Sequence, residues 1–240
     1  MSQATNIILV GASGRIGTRI AAMARDDARF RIAACVDLDR PHAAAAALEQ
    51  KKPEILVDFS NFAAIERSVE LAQERRIPML AGTTGFQEAQ RRALDGLASS
   101  VPVLVAPNTS VGCVVLIEMA QKIFCALGKN FSPSIVEWHR EGKVDAPSGT
   151  AHAIRIQLDR AFEGPSEPTP TQVVSVRSGA ITGEHMVRFD GPEETLEIVH
   201  RAHSRDLFAH GALRAAEWLV RQQPGMYTMA DVLGITPGTP

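Results

Sequence analysis

Apolar residues in the first half of the chain fall into short continuous runs: Ile7-Ile8-Leu9-Val10, Ile32-Ala33-Ala34-Cys35-Val36, Ile55-Leu56-Val57-Asp58-Phe59, Met79-Leu80-Ala81 and Val103-Leu104-Val105-Ala106. A run with little polar alternation marks a strand buried on both faces, as in a parallel sheet. Between the runs the apolar spacing becomes helical, with Ile16, Ile20 and Met23 on one stripe and Ile65, Val69 and Leu71 on another. A shorter helix over Ala43–Gln50 connects the second and third strands. Strands alternating with helices predict an α/β fold, a Rossmann-like doubly wound parallel sheet.

Beyond Gly112 the pattern changes. A helix is predicted over Val114–Leu127, followed by more loosely spaced strands at Ser134–Trp138, Val173–Arg177, Met186–Phe189 and Leu196–Arg201. Glu163–Thr171, rich in Pro and Glu, reads as an exposed loop. A strongly helical stretch, Leu207–Val220, then carries Ala212, Leu213, Ala216, Leu219 and Val220 as a face able to pack on the first half. The organisation expected is one domain made of residues 1–109 and 207–240, with an α+β unit inserted over 110–206.

Ligands of doubly wound sheets sit beyond the carboxyl ends of the strands. The first strand is followed there by Gly11-Ala12-Ser13-Gly14-Arg15-Ile16-Gly17. Glycines in a strand-to-helix turn let the backbone approach a pyrophosphate, and the helix that follows directs its positive end at the negative charge. The spacing is Gly-x-x-Gly-x-x-Gly rather than the commoner Gly-x-Gly-x-x-Gly, so its placement between strand and helix carries the reading. Asp37 ends the second strand about twenty residues after Gly17, the position from which a carboxylate reaches the adenosine ribose hydroxyls. A carboxylate there repels a 2′-phosphate, so NADH is the expected cofactor, with NADPH as the poorer one; Arg15 and Arg40 are near enough in sequence to soften the preference.

The segment from His139 to Ala151 holds the densest chemistry. Ser148-Gly149-Thr150 follows Pro147 and precedes Ala151, Ile154, Ile156 and Leu158, which reads as a cap opening a helix whose free N–H groups would receive a carboxylate. Lys143 and Arg140 supply balancing charge, and His139 is the nearby group able to deliver a proton near neutral pH. The set suits a small dianion.

Composition narrows the partners. The chain has 240 residues, 45% of them hydrophobic, and a formal net charge of −2. That suffices for a sizeable core and argues against nucleic acid or a membrane as partner. No stretch approaches the roughly twenty apolar residues needed to cross a bilayer, and Met1–Asn6 is too short and polar for a signal peptide, so a cytoplasmic protein is expected. Cys35, Cys113 and Cys125 are odd in number, show no Cys-x-x-Cys spacing and lie in apolar runs, and are read as core residues. His200 and His203 have no carboxylate or Cys at matching sequence spacing, so no metal site is expected. Arg177, His185 and Arg205 complete a weaker polar set, in which strand histidines read as hydrogen-bonded structural groups. Neither a Gly-x-Ser-x-Gly elbow nor a Walker-type Lys is present.

The run His139 to Ala151 resembles the signature His-x-x-x-Lys-x-Asp-x-Pro-Ser-Gly-Thr-Ala of the 4-hydroxy-tetrahydrodipicolinate (dihydrodipicolinate) reductases. The glycine turn is similar to that family's Gly-Ala-x-Gly-Arg-Met-Gly, with Ile16 for the methionine. Gly82-Thr83-Thr84-Gly85 and Ala106-Pro107-Asn108-Thr109-Ser110-Val111-Gly112, after the fourth and fifth strands, also resemble family motifs.

The resemblance implies NAD(P)H-dependent reduction of 4-hydroxy-tetrahydrodipicolinate, via dihydrodipicolinate, to tetrahydrodipicolinate in the diaminopimelate route to lysine. It implies His139 as proton donor, Lys143 as a carboxylate and charge-stabilising residue, and Arg140, Ser148, Gly149, Thr150 and Thr84 as substrate contacts. Cofactor contacts would come from Gly11, Ala12, Ser13, Gly14, Arg15, Ile16, Asp37, Gly82, Thr83, Thr84, Ala106, Pro107, Asn108 and Thr109. The inserted unit would bind substrate and join the subunits of a homotetramer. Three positions depart from the family pattern: Leu38 where members that accept NADPH carry Arg, Thr109 where Phe or Tyr is usual, and Arg140 where many have a second His. Thr109 and Arg140 leave open a related nicotinamide dehydrogenase of another small dicarboxylate or imino acid; a second alternative is an NADH-sensing or scaffold protein that keeps the fold without turnover.

Overall fold

The computed structural model describes residues 4–36, 52–161 and 170–235. The Ala43–Gln50 helix, Asp37, Leu38, Arg40 and most of the Glu163–Thr171 loop lie outside the described residues. In chain order the elements are β1 (Thr5–Val10), α1 (Gly17–Asp26), β2 (Phe30–Val36), β3 (Ile55–Asp58), a 3₁₀ turn (Phe62–Ala64), α2 (Ile65–Arg75), β4 (Met79–Ala81), α3 (Glu88–Ala98), β5 (Pro102–Val105), α4 (Val111–Leu127), β6 (Ser132–His139), α5 (Gly149–Ala161), β7 (Gln172–Arg177), β8 (Gly183–Asp190), β9 (Thr195–Ala202), α6 (Asp206–Leu219), β10 (Gly225–Tyr227) and α7 (Met229–Leu233). Among the described residues, no helix is long and apolar enough to cross a membrane.

The chain divides into two units, one of residues up to Ser110 with Asp206–Gly234 and one of Val111–Arg205, with which Ile235 groups. Ser110 and Asp206, expected in the inserted unit, group with the first.

The first unit is a six-stranded sheet in the order β10-β5-β4-β3-β1-β2, with every pairing parallel. Side chains alternate across it. Ile8, Val10, Leu56, Met79, Ala81 and Val103 pack with Ile65 and Ala72 of α2 and Leu94 and Leu97 of α3. Ile7, Leu9, Val57, Leu80 and Leu104 are equally buried and turn to the opposite face, where α1 and α6 pack on each other. The chain runs outward from β1 to β2 and then returns to β3 on the other side of β1, so the strand order reverses between β1 and β3. Such a reversal opens a crevice at the carboxyl ends of the two strands.

Three elements of this unit escape the hydrophobic pattern. Of α3, only Leu94, Leu97 and Ala98 are buried, and β10 and α7 are too short for any period to show. Two cysteines also correct the reading of all three as core: Cys113 is buried, but Cys35 and Cys125 are exposed. Cys35 lies beside the inward Ala34 on β2, an edge strand of the sheet with a neighbour on one side only.

The second unit is a four-stranded sheet in the order β7-β6-β8-β9. β6 pairs parallel with β7 and antiparallel with β8, and β8 pairs antiparallel with β9. One face packs against α4 and α5 around Leu116, Ala120, Phe124, Ile135, Ile154, Leu158, Val187 and Phe189, with the rings of Phe124 and Phe189 stacked at 6.2 Å. Along the strands this covered face passes from apolar to polar: Ile135 gives way to Glu137 and His139 on β6, and Val187 to His185 on β8, all of them buried.

Candidate active site

Period-two alternation places Ile135, Glu137 and His139 on one side of β6. Register then aligns Glu137 with Ser175 of β7 and His185 of β8, and His185 with His200 of β9. His139, at the end of β6, pairs with Arg177 of β7. The His139 ring has room because residue 183 is glycine: a Cβ there would lie 3.2 Å from His139 Nε2.

Glu137 is fully buried and heavily hydrogen-bonded. Its Oε1 accepts from Ser175 Oγ at 2.7 Å, from Arg177 Nη2 at 3.0 Å and from the Ser148 amide at 3.0 Å. Its Oε2 lies 3.7 Å from His139 Nδ1 and 3.7 Å from His185 Nε2. Burial alone would push this carboxyl up, but the bonds from Ser148, Ser175 and Arg177 outweigh it and bring the pKa down to about 2. Burial lowers His139, with Glu137 opposing and Lys143 and Arg177 reinforcing the shift. Burial and then the neighbouring His139 bring His185 down to about 4. The two rings meet edge to face at 5.2 Å, and neither Nδ1 has a hydrogen-bond partner among the described residues.

Arg177 ties the following loop to this centre. Its guanidinium donates to the Lys143 carbonyl at 3.3 Å and to the Asp145 carbonyl at 2.6 Å, while Lys143 Nζ donates to Asp145 Oδ2 at 2.5 Å. Asp145 therefore shapes the loop, and its carboxyl is lowered chiefly by that lysine. Arg140 is exposed just past the strand, and its Nη1 occupies the place a Cβ on Gly142 would approach, at 2.5 Å.

The residues read as a helix cap do open α5. Ser148 Oγ accepts from the Ala151 amide at 3.2 Å and lies 3.2 Å from His185 Nε2. With its amide given to Glu137, Ser148 is a buried capping residue whose polar atoms are engaged inside the protein. Gly149 is exposed, with open space where a side chain would be, and Thr150 is half-buried.

In the first unit, Gly11 has φ +77° and a Cβ there would lie 2.7 Å from the Phe59 carbonyl oxygen. A Cβ on Gly17 would lie 2.1 Å from the Gly11 oxygen, and the Gly14 amide bonds that same oxygen at 3.0 Å. The turn therefore admits only glycine at its ends. Ile16, at the N-cap of α1, makes no side-chain cap bond, and a glycine turn leading into a helix N-terminus fits a pyrophosphate. Ala12 and Ile16 are half-buried, and Ser13 and Arg15 exposed.

The loop after β4 is anchored by the buried Asp58, which accepts from Thr83 Oγ1 at 3.2 Å, from the Ser60 amide and hydroxyl, and from Ser68 Oγ. Thr84 and Gly85 stand exposed, and a Cβ on Gly82 would strike the Phe59 ring. After β5, Ala106 is buried, Pro107 exposed, and Asn108 Oδ1 accepts from the Ser110 amide at 2.9 Å. Thr109 is 1% exposed, and its hydroxyl donates to the Phe208 carbonyl at 2.7 Å. Its side chain is thus used against α6 and does not replace an aromatic surface.

Among the described residues, two groups hold donor atoms within 4.8 Å of one another, Cys113 with His185 and His200, and Glu137 with His139 and His185. The first is a proximity that sequence spacing does not reveal; there Cys113 Sγ and His200 Nδ1 already bond each other at 3.3 Å. In the second, Arg177 supplies the positive charge beside the carboxylate. Glu137 and the placement of His185 are what the sequence reading missed. The alternation Ile135, Glu137, His139 was a usable signal for the first, whereas the second depends on strand register.

Comparison with known proteins agrees with this architecture. Residues 5–109 match the family model described as dihydrodipicolinate reductase, N-terminus, and residues 112–233 that for its C-terminus. The 4-hydroxy-tetrahydrodipicolinate reductase of Alkaliphilus metalliredigens is 34% identical over 96% of this chain and 99% of its own, and that of Syntrophus aciditrophicus is 39% identical over 75% and 73%. Among solved structures, a dipicolinate-bound dihydrodipicolinate reductase from Paenisporosarcina superposes with a TM-score of 0.79 at 18% identity, covering 95% of this chain and 98% of that one.

Proposed function

The chain belongs to the dihydrodipicolinate reductase family, and from that premise we propose that His139, Lys143 and the start of α5 form the site at which 4-hydroxy-tetrahydrodipicolinate, via dihydrodipicolinate, is reduced to tetrahydrodipicolinate. The reaction belongs to the diaminopimelate route to lysine and is pyridine-nucleotide-dependent. A nicotinamide cofactor bound by the glycine turn supplies the hydride. Hydride addition pushes electron density along the conjugated ring to a carbon that must then take a proton, and His139 delivers it.

Lys143 exchanges Asp145 for a ring carboxylate, whose charge it offsets. The amides of Gly149 and Thr150 and the Thr150 hydroxyl receive a carboxylate at the N-terminus of α5, with Ser148 holding that turn in place. Arg140, exposed beside them, adds a guanidinium able to grip a carboxylate with two hydrogen bonds where a relative carries His. Thr84 serves the substrate from its loop. The observation that carries the reading is the buried, titratable His139 at a strand end, with Lys143 in the loop that follows and the opening of α5 just beyond it.

The cofactor is held by Gly11, Ala12, Ser13, Gly14, Arg15 and Ile16, with Gly82, Thr83 and Thr84 after β4 and Ala106, Pro107, Asn108 and the backbone of Thr109 after β5. Asp37 sets the preference for NADH over NADPH. The protein acts in the cytoplasm as a homotetramer joined through its second-unit sheets, a reading supported by the apolar side chains on the face without helices, where Val174 is 54% and Val199 39% exposed.

Steady-state oxidation of NADH and of NADPH, with substrate generated by the preceding synthase, tests the proposal beside the His139→Gln variant. The expected result is faster turnover with NADH and a loss of about 100-fold or more in the variant, with NADH affinity nearly unchanged. Turnover in H139Q close to the wild type would remove His139 from the mechanism.

A further inference from the structure

We propose that Glu137 is a positioning residue of this reaction: its carboxylate orients the His139 ring as proton donor and, through Arg177 and Ser148, holds the Lys143 loop and the first turn of α5 in register with it. The proposal rests on the reading of His139 as donor. Glu137 occupies a position a packed sheet normally gives to an apolar residue, directly continuing the buried Ile135. A carboxylate buried there costs several kcal/mol unless it is both paired and hydrogen-bonded.

Each of its attachments leads to a different part of the site. The Ser148 amide is the entry to α5. Arg177 carries the link onward to the Lys143 and Asp145 carbonyls. On the remaining side, Oε2 lies 3.7 Å from His139 Nδ1, an atom with no hydrogen-bond partner among the described residues. A proton on Nδ1 facing the carboxylate leaves Nε2 as the nitrogen that gives up its proton. One side chain thereby fixes the orientation of the donor, of the lysine loop and of the carboxylate-binding turn.

The charge has its own consequence. Groups facing His139 are Glu137 from its own strand, Arg177 from β7, His185 from β8, and Lys143 and Asp145 from the loop; Ser148 is the neighbour from α5. Burial, Lys143 and Arg177 all disfavour the imidazolium, and Glu137 is the largest influence in its favour. Without that carboxylate the protonated donor would be depleted at a lower pH.

The test is the pH profile of kcat for Glu137→Gln and Glu137→Asp, with His139→Gln measured in parallel. The glutamine is isosteric and its carbonyl oxygen can still accept from Ser148, Ser175 and Arg177, so the fold has a means of persisting without the charge. Turnover that depends on protonated His139 falls on the basic side, and that limb is expected to move down by about one pH unit in E137Q and by less in E137D, whose carboxylate is drawn back by one methylene. At pH 8 the loss in E137Q should be about tenfold, with KM for substrate changed far less. Basic limbs at the wild-type pH would overturn the proposal even if turnover fell, because a merely structural role lowers kcat without moving them; if only one variant folds, its limb decides. Wild-type turnover in H139Q would instead defeat the donor reading, an outcome distinguishable from an unmoved limb in E137Q or E137D.

Discussion

Lys143 and Asp145 show how a binding cation can be kept ready without being inert. The pair is joined at 2.5 Å, yet the lysine side chain is 22% and the aspartate 61% exposed. Water competes for such a contact, and partly exposed pairs contribute only about 0–1 kcal/mol, so a ring carboxylate can displace Asp145 from the ammonium at small cost. Replacing Lys143 by Met should therefore leave the melting temperature within a few degrees of the wild type while raising KM and lowering kcat together. The kcat effect follows from charge that develops in the ring beside Lys143 during reduction. Thermal melting and steady-state kinetics on the variant check this; unchanged kcat with raised KM would restrict Lys143 to ground-state binding.

The elements of the two units were legible to different degrees, for a physical reason. Strands β1, β3, β4 and β5 are buried on both faces, so each appears as an apolar run, and the loops after the strands are where a doubly wound sheet presents ligands. The short stretch from β6 to α5 put His139, Lys143 and Ser148 together because they are local in sequence. The row Ser175, Glu137, His185 and His200 was hidden because it exists only through the register of four strands. Thr109 shows the opposite limit: a loop position read for its side chain is governed by packing, since Gly211 of α6 presses so close that a Cβ would lie 1.7 Å from the Thr109 oxygen. Register also makes Gly183 a functional position. A Cβ there would stand 3.2 Å from Nε2 and 3.4 Å from Cδ2 of His139, so the ring must shift by a few tenths of an ångström. Gly183→Ala should fold normally and lose about tenfold in kcat, since small misplacements of a reacting group are costly. Kinetics beside a melting curve provide the check, and a fully active G183A would mean that the ring orientation in this site is not critical.

At the scale of the whole molecule, the polar end of the second sheet makes stability depend on pH. Glu137 titrates at about 2 against an ordinary 4.5, and His185 at about 4 against an ordinary 6.5. Both folded values are depressed, so in each case the unfolded chain takes up a proton before the folded one does. The contribution of His185 is complete above about pH 6.5 and is lost as pH falls toward 4; that of Glu137 is complete above about 4.5 and is lost toward 2. Acidification from pH 7 to 4 should thus lower the melting temperature of the second unit through His185, with His139 and His200 lowered in the same direction by burial, and further acidification through Glu137. Replacing His185 by Asn removes the most strongly shifted of these histidines and should flatten the fall of the second unit's transition between pH 7 and 4, at the expense of a lower melting temperature at pH 7 from the lost contact with Ser148. An equally steep fall in H185N would show that the acid sensitivity of this unit arises elsewhere than in the buried histidine.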